Sequence, residues 1–224
     1  MDVSGNELTS IEGVERLTRL EDLCLERNAL GAPAGTEFDV DYVRRLLGPL
    51  RPLAPSLRRL DLGHNRLGTA KGLDGLTRLH QLSIEGCDVP SLEGLGQLRA
   101  LMELYAGNNR IRKVRDVLAL RELPRLIIVD LCGNPCCAAS KYRLFSVYHL
   151  RRLKVLDGVS VTSEEQSEAR ERFSGRLSMD VLEERLPGKE LRSVVDLDLC
   201  KLRIRIVEMI PPDAMPVLRA VRVD

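Results

Sequence analysis

The feature that most constrains this chain is a pattern of apolar residues that recurs at a fixed phase. The pattern reads L-x-x-L-x-L-x-x-N-x-L, and it is complete from Leu20 to Leu30 and from Leu57 to Leu67. Copies with substitutions begin at Leu79, Leu101, Leu126 and, most weakly, Leu153. Two of the steps between starts are 22 residues long, and the other three are 37, 25 and 27. Self-similarity at such a period is the signature of a repeat architecture.

Each position of the pattern has a physical role. Side chains alternate between the two faces of a strand, so positions four and six, with the leading leucine, should point inward, and positions three, five and seven outward. The asparagine at position nine can turn its amide onto backbone groups where the chain bends, and Cys87 replaces it weakly in one repeat. Because one repeat cannot bury its own apolar face, neighbours must stack. The pattern predicts a right-handed α/β solenoid, with short parallel strands on its concave face and 3₁₀ or α segments on its convex face.

The amino-acid composition argues against some classes of function. The chain has 34 basic and 33 acidic residues, and this balance argues against a general binder of phosphate backbones. Aromatic residues make up only 3%, so aliphatic side chains must fill the core. No run of about 18 apolar residues occurs, so no membrane span is expected. The polar start and the lack of CxxC pairs favour a reducing, cytoplasmic location.

An insertion interrupts the array after the first complete repeat. Residues 31–56 contain about 15 more residues than a 22-residue step needs. The stretch Asp39–Leu47 is predicted to form a helix with Asp39 as its N-cap, and Gly48, Pro49 and Pro52 are expected to end it. The insertion is interpreted as an elaboration of the convex side, with a private binding element as the alternative.

Incomplete repeats occur at both ends of the chain. Residues 3–8 fit the second half of a repeat, and residues 218–223 begin another. Residues 194–204 fill one more repeat, with Leu202 at the asparagine position. This arrangement leads us to expect part of a longer repeat protein or a shortened isoform.

A helical linker is predicted between two arrays. Thr162 and Glu165 form a capping box that should open one helix, and Ser178–Leu186 is predicted to form a second. The predicted organisation is a capped repeat array at 1–160, a helical linker at 161–190 and the start of a second array at 191–224.

A motif after the fifth repeat resembles a known cap. It consists of Gly133-Asn134-Pro135, Tyr142-Arg143, Leu153–Gly158 and Val161-Thr162 with Glu164 or Glu165. With the 22-residue repeats, it resembles the cytosolic leucine-rich repeats of the phosphatase-regulator type, over roughly residues 1–173. That group includes a regulatory subunit of protein phosphatase one, the spliceosomal A-prime protein, an axonemal dynein light chain and ciliary proteins. The runs Phe173–Leu177 and Glu184–Leu186 resemble multi-array members associated with cilia. The resemblance implies a leucine-rich-repeat solenoid, protein binding and no catalytic residues.

The outward strand positions form an acidic surface when they are projected onto the predicted concave face. The residues predicted to bind a partner are Asp22, Glu26, Arg59, Asp61, Glu85, Glu103, Tyr105, Ile128, Asp130 and Asp157. Seven of these are acidic and one is basic, although the whole chain is almost neutral. Like charges on strands about 4.8 Å apart repel, and a basic partner would offset that cost. We therefore predict a basic helix, loop or tail as the ligand, with Tyr105 and Ile128 as apolar anchors. The alternative is a solvated face that keeps the strands soluble.

No pattern indicates a cofactor, a metal or catalysis. Cys132, Cys136 and Cys137 lack the paired spacing and the nearby histidine that zinc sites prefer. The three histidines lie far apart in the repeat register, and no nucleophile motif accompanies them. The chain also lacks the glycine-rich phosphate-binding motifs. We predict a protein that is not an enzyme and has no cofactor, small-molecule substrate or membrane partner.

Three functions remain open. The first is a scaffold or adaptor that binds a basic protein segment in a ciliary or cytoskeletal assembly. The second is a regulatory subunit of an enzyme such as a protein phosphatase. The third is a ribonucleoprotein assembly factor, although the acidic face disfavours direct contact with nucleic acid. All three derive from family resemblance, which constrains the fold more than the function.

Overall fold

The computed structural model describes residues 1–32, 39–177, 182, 186, 193–199, 204, 206–207 and 215–222. The chain divides into two compact units, Met1–Gln166 and Ser167–Asp224. The first unit contains the repeats that the leucine pattern predicted, and it is described first.

One sheet runs through the first unit, and its strands are ordered as they are in the sequence. The strands are β1 (Asp22–Cys24), β2 (Arg59–Asp61), β3 (Gln81–Ser83), β4 (Glu103–Tyr105), β5 (Ile128–Asp130), β6 (Val155–Leu156) and β7 (Val159–Ser160). All neighbours are parallel except β6 and β7, which form an antiparallel pair. Leu60 pairs with Leu82, and Leu82 pairs with Leu104, so equivalent leucines occupy equivalent interior places. The predicted solenoid register is therefore confirmed.

The core consists of stacked aliphatic layers. Leu60, Leu82 and Leu104 are at most 1% exposed, and the same is true of the position-six residues Leu62 and Ile84. Burying one such side chain contributes about 1.5–3 kcal/mol. The stability of the unit therefore comes from many similar layers, each of which depends on its neighbours.

The position-nine asparagines join each coil to the one before it. The amide nitrogen of Asn65 donates to the carbonyl oxygens of Leu25 (3.0 Å) and Leu62 (2.8 Å). Its amide oxygen accepts from the backbone N–H of Leu30 at 3.0 Å. Equivalent bonds are made by Asn28, Asn109 and Asn134. The predicted role of these amides is confirmed.

Cys87 occupies the same position in the repeat that begins at Leu79. Its thiol donates to the carbonyl oxygens of Leu62 (3.1 Å) and Glu85 (3.5 Å), so it replaces part of the asparagine network. A thiol is a weak donor, and it has no counterpart of the amide oxygen that accepts a backbone N–H. We call the hydrogen bonds that the position-nine side chains make between adjacent coils the asparagine ladder. This ladder is weakest at the coil that contains Cys87.

Short helical segments form the return path of the repeats. The 3₁₀ segments are Val14–Arg16, Gly48–Leu53, Leu95–Gln97, Val114–Leu120 and Pro135–Ala138. Each segment buries at least one apolar or thiol side chain, such as Leu95 or Leu120. The predicted 3₁₀ return is confirmed by these segments.

The insertion contains helix α1 (Val40–Leu46), as predicted. The Asp39 carboxylate accepts from the backbone N–H of Asp41 at 2.9 Å, which confirms the N-cap. Gly48 and the prolines end the α-helix but do not end the helical path, because Gly48–Leu53 continues as a 3₁₀ segment. The reason is burial, since Leu50 and Leu53 of that segment are at most 1% exposed.

The predicted cap follows the fifth parallel strand. Helix α2 spans Tyr142–His149, and α3 spans Ser163–Phe173. Thr162 and Glu165 form the predicted capping box, with distances of 3.2 and 3.3 Å. The Arg143 guanidinium donates to both Glu165 carboxylate oxygens and to the carbonyl oxygens of Leu156 and Ser160. One arginine thereby joins α2, the β6–β7 pair and the start of α3.

The described residues of the second unit include two short parallel pairs of strands. These pair β8 (Arg176–Leu177) with β10 (Ile206–Val207), and β9 (Asp196–Asp198) with β11 (Ala220–Arg222). Leu197 pairs with Val221, at the phase that the sequence predicted. β8 lies between the two helices predicted for the linker, and its parallel pairing with β10 was not predicted. The predicted helix Ser178–Leu186 lies outside the described residues apart from Leu182 and Leu186.

Candidate functional site

The exposed face of the seven-stranded sheet, here called the concave face, brings the predicted residues into rows. The position-three row runs through Asp22, Arg59, Gln81, Glu103, Ile128 and Val155. The position-five row runs through Cys24, Asp61, Ser83, Tyr105 and Asp130. Side chains in both rows are exposed or half-buried, whereas the position-four side chains between them are buried. The parallel register thus places seven of the ten predicted residues in these two rows.

A third row follows the ends of the strands. It contains Glu26, Gly63, Glu85, Gly107 and Cys132. The side chains of Asp61 and Glu26 pack closely against Gly63. A Cβ added at Gly63 would lie 3.0 Å from the Asp61 carboxylate and 3.4 Å from the Cγ of Glu26. The absence of a side chain at Gly63 therefore leaves room for the acidic side chains of Asp61 and Glu26.

Arg59 is already paired. Its guanidinium donates two bonds of 2.6 Å to the two carboxylate oxygens of Asp22. The hydrogen bond from Arg59 holds the pKa of Asp22 below its usual range. Because both side chains are largely exposed, the pair adds little stability, but it neutralises this corner of the face.

The other carboxylates are positioned by donors of different kinds. Asp61 and Asp130 accept from the backbone N–H groups of Gly63 (2.8 Å) and Cys132 (2.9 Å). Glu85 accepts from the side-chain amide of Asn108 at 2.8 Å. These donors are neutral, so they orient the carboxylates without cancelling their charge. Glu26 differs, because it lies 3.4 Å from Arg27 and 4.0 Å from His64.

The predicted apolar anchors lie on neighbouring strands, β4 and β5. The Tyr105 hydroxyl donates to Glu103 at 3.0 Å, and burial together with this carboxylate raises the pKa of Tyr105. Ile128 is half-buried and pairs in register with Val155, so an apolar patch borders the acids at this end. The face is therefore acidic over β1–β4 and more apolar over β5 and β6.

Asp157 departs from the predicted open row. It follows β6 in a left-handed conformation, with φ of 54°, and its carboxylate accepts from the backbone N–H of Leu131 at 2.8 Å. Burial raises the pKa of Asp157. Its carboxylate is thus engaged inside the cap, although it still lies beside Asp130.

Among the residues that the structure describes, the fold also assembles two groups that sequence spacing did not reveal. Each has three potential metal ligands within 4.8 Å of one another: Cys24, Glu26 and Asp61 form one, and Asp130, Cys132 and Asp157 the other. In the second group, burial and then the Asp157 and Asp130 carboxylates raise the pKa of the Cys132 thiol to about 11. Only the strand register could have revealed these groups, because their members come from adjacent coils.

Comparison with known proteins decides the family. The sequence profile described as leucine-rich repeat matches residues 56–185, which is more than half of the chain. The chain belongs to the leucine-rich repeat family. The matched residues include β2 to β6 and the cap motif on which the resemblance rested.

Curated leucine-rich repeat relatives match about half of this chain. Cilia- and flagella-associated protein 410 from Homo sapiens is 34% identical over 116 residues, which cover 51% of this chain and 45% of the relative. Leucine-rich repeat-containing protein 23 from Bos taurus is 30% identical over 113 residues, which cover 50% and 33%. U2 small nuclear ribonucleoprotein A′ from Homo sapiens is 30% identical over 119 residues, which cover 52% and 47%. The chain spans between a third and half of the length of these relatives.

Solved structures share the leucine-rich repeat fold. The Drosophila melanogaster SNF/U2A′ complex contains a chain with a TM-score of 0.50 and 20% identity, and the match covers 82% of this chain and 86% of that one. An internalin, InlF from Listeria monocytogenes, gives a TM-score of 0.55 and 22% identity, with coverage of 70% and 40%. At these identities the likeness shows the fold. Among the described residues of this leucine-rich repeat chain, no helix is long and apolar enough to cross a membrane.

Proposed function

We propose that this chain is a non-catalytic adaptor that binds a basic protein segment across the concave face. The observation that carries the proposal is the charge of that face. Six carboxylates lie in its three rows, and the one base among the predicted residues, Arg59, is already paired with Asp22. The chain as a whole carries a net charge of +1, so the acidity is local.

Electrostatic arguments support this ligand. The carboxylates of Asp61, Glu85 and Glu103 are half-buried and held by hydrogen bonds to neutral donors. A basic segment would relieve their mutual repulsion, and potentials of opposite sign also accelerate association. The apolar patch of Ile128 and Val155, together with Tyr105, would bury part of the segment and supply affinity that does not depend on salt.

A ciliary or cytoskeletal assembly is the proposed setting. The relative named cilia- and flagella-associated protein 410 supports this setting. The name of the other relative, leucine-rich repeat-containing protein 23, refers to the repeats alone. The U2 small nuclear ribonucleoprotein A′ relative supports ribonucleoprotein assembly as a second candidate. We also propose that residues 191–224 begin a second array, which the in-register pairing of β9 with β11 supports.

The binding experiment uses a labelled lysine- and arginine-rich peptide and the full chain. We expect the triple variant Asp61→Asn, Glu85→Gln, Glu103→Gln to weaken binding at least about tenfold, because three oriented charges are lost. The amide oxygens that replace these carboxylates can keep the existing hydrogen bonds, so thermal stability should change little. Fluorescence anisotropy at several salt concentrations measures both the affinity and its salt dependence.

A matched variant separates local from overall charge. Glu12, Asp74 and Glu122 are exposed acids outside the strands, and their conversion to Gln, Asn and Gln removes the same total charge. This control should bind the peptide as the unchanged chain does. Equal weakening by the two triple variants, or no binding of the peptide by the unchanged chain, would reject the proposed site.

A further inference from the structure

The residues that directly precede the strands form a second charged surface of the first unit. We define the strand-start rim as the four residues before each of the strands β1–β6. These are residues 18–21, 55–58, 77–80, 99–102, 124–127 and 151–154. Their last members lie in register, because the N–H of His80 donates to the carbonyl oxygen of Arg58 and the N–H of Met102 donates to that of His80. The strand-start rim therefore borders the concave face where its strands begin.

The strand-start rim is basic, whereas the concave face beside it is acidic. The rim contains seven arginines and one lysine but only one carboxylate, that of Glu21. The whole chain has 34 basic and 33 acidic residues, so composition does not explain this excess. All eight basic residues are exposed except Arg58, which is half-buried. Among the described residues, none of the eight forms a salt bridge, so their charges are available to a partner.

Backbone carbonyl oxygens of adjacent coils position three of the rim arginines. Arg58 donates to the carbonyl oxygen of Arg78 at 3.3 Å, and Arg78 donates to that of Pro55 at 3.1 Å. Arg99 donates to the carbonyl oxygen of Glu122 at 2.6 Å. These acceptors are neutral, so they orient the guanidinium groups without cancelling their charge. Each guanidinium keeps further N–H donors with which it can bind a carboxylate.

An apolar pair lies within the strand-start rim. Met102 is 36% exposed and Ile127 is half-buried, and the N–H of Ile127 donates to the carbonyl oxygen of Met102 at 2.9 Å. The N–H of Lys154 continues this row and donates to the carbonyl oxygen of Ile127 at 2.8 Å. Arg99 and Arg125 precede the two apolar residues in the same coils. Basic side chains therefore flank an accessible apolar surface.

We propose that the strand-start rim binds an acidic protein segment that carries an apolar residue between its carboxylates. Arginine binds carboxylates through a planar fork of N–H donors, and most of the basic side chains of the rim are arginines. The apolar residue of the segment would pack against Met102 and Ile127 and fix the position of the segment along the rim. Six coils about 4.8 Å apart extend over about 24 Å, which an extended segment of about seven residues would cover.

The composition of the rim favours a protein segment over nucleic acid. Single-stranded nucleic acids stack their bases on aromatic side chains, and the strand-start rim contains no tryptophan, tyrosine or phenylalanine. A duplex is wider than the rim and would bring its phosphates against the carboxylates of the adjacent concave face. A single chain of carboxylates can follow the basic residues without this repulsion.

The test measures the binding of a labelled glutamate-rich peptide with a central leucine to the full chain by fluorescence anisotropy. A peptide of about nine residues is long enough to cover the rim. We expect the triple variant Arg99→Gln, Arg125→Gln, Lys154→Gln to weaken binding at least about tenfold, because three charges beside the apolar pair are lost. No binding of the peptide by the unchanged chain would overturn the proposal.

A matched variant removes the same charge elsewhere. Arg45, Arg112 and Lys141 are exposed and lie outside both the strand-start rim and the concave face. Their conversion to Gln should leave the affinity for the acidic peptide nearly unchanged. Thermal unfolding should give similar midpoints for both triple variants, because all six side chains are exposed. Equal weakening of peptide binding by the two variants would overturn the proposal.

Met102→Ser tests the apolar pair without changing any charge. The unchanged chain should bind the leucine peptide at least about threefold more tightly than a peptide with serine in its place, because the leucine is buried. Met102→Ser should lose this preference and keep its affinity for the serine peptide. Equal affinities of the unchanged chain for the two peptides would overturn the proposed ligand.

Two further measurements distinguish other occupants of the rim. A single-stranded oligonucleotide of equal charge should bind more weakly than the leucine peptide, and tighter binding would overturn the proposal. Association of the unchanged chain in sedimentation, if the rim variant abolished it, would assign the rim to a second copy and would also overturn the proposal.

The concave face and the strand-start rim can be tested independently. The concave-face variant Asp61→Asn, Glu85→Gln, Glu103→Gln should bind the acidic peptide at least as tightly as the unchanged chain does, because it removes neighbouring negative charge. The same variant should bind the basic peptide more weakly. Either proposal can therefore fail without the other.

Discussion

Replacing Asn109 with alanine removes a side-chain amide from the middle of the asparagine ladder. The amide is 6% exposed and makes five hydrogen bonds of 2.8–3.1 Å that connect two adjacent coils. Its partners are the N–H groups of Cys87 and Val89 and the carbonyl oxygens of Ile84, Ala106 and Gly107.

Not all of these partners would be left unsatisfied. The carbonyl oxygen of Ala106 also accepts from Asn134, and that of Gly107 also accepts from the N–H of Gly86. The two N–H groups and the remaining carbonyl oxygen, which belong to fully buried residues, have no second partner among the described residues. The substitution therefore strands three buried backbone groups.

Each stranded group costs about 1–3 kcal/mol. Because some water enters the space that the amide leaves, we take the lower part of the total range and expect a loss of about 3–5 kcal/mol. A domain is stable by about 5–15 kcal/mol, so this loss would remove a large part of the margin. Urea unfolding followed by far-ultraviolet circular dichroism measures the change as a lower midpoint.

Asn28→Ala is the matched control. Asn28 makes the same type of bonds at the first coil, but it is only half-buried there, so water can replace its amide. We expect this variant to lose about 1 kcal/mol. If Asn109→Ala lost no more than Asn28→Ala, burial of the ladder would not be what makes it stabilising, and the reasoning would be refuted.

Two further predictions concern the ladder and the cap. Cys87→Asn should stabilise the chain by about 1 kcal/mol in urea unfolding, because an amide donates more strongly than the thiol and adds an acceptor; a lower midpoint would mean that the coil has no room for the larger side chain. The hydrogen bond from Arg143 lowers the pKa of Glu165 in the folded state. The pair therefore stabilises the fold fully at pH values above the pKa of a free glutamate, about 4.3. This stabilisation is lost as the pH falls through the lower pKa of Glu165 in the folded state. Glu165→Gln should therefore cost about 1–2 kcal/mol at neutral pH and should lose less stability on acidification. Parallel acid dependence of the two proteins in thermal unfolding would contradict the assignment.

The features that were predicted correctly from the sequence all depend on residues that lie close together along the chain. The strand register followed from leucines and asparagines within a few positions of each other, and Leu60, Leu82 and Leu104 lie where that register put them. Local signals also located the Asp39 N-cap and the Thr162 capping box. These features could be predicted because each depends on neighbours along one short segment.

The sequence alone thus determined the solenoid, its coil-to-coil register and the acidic character of its exposed face. Tertiary structure decided the rest: the pairing of Arg59 with Asp22, the inward engagement of Asp157, and the meeting of Asp130 and Cys132 with it. A repeating pattern fixes which face a side chain occupies, because alternation along a strand is local. It does not fix which groups from different coils meet, because that depends on turns and packing between segments distant in sequence.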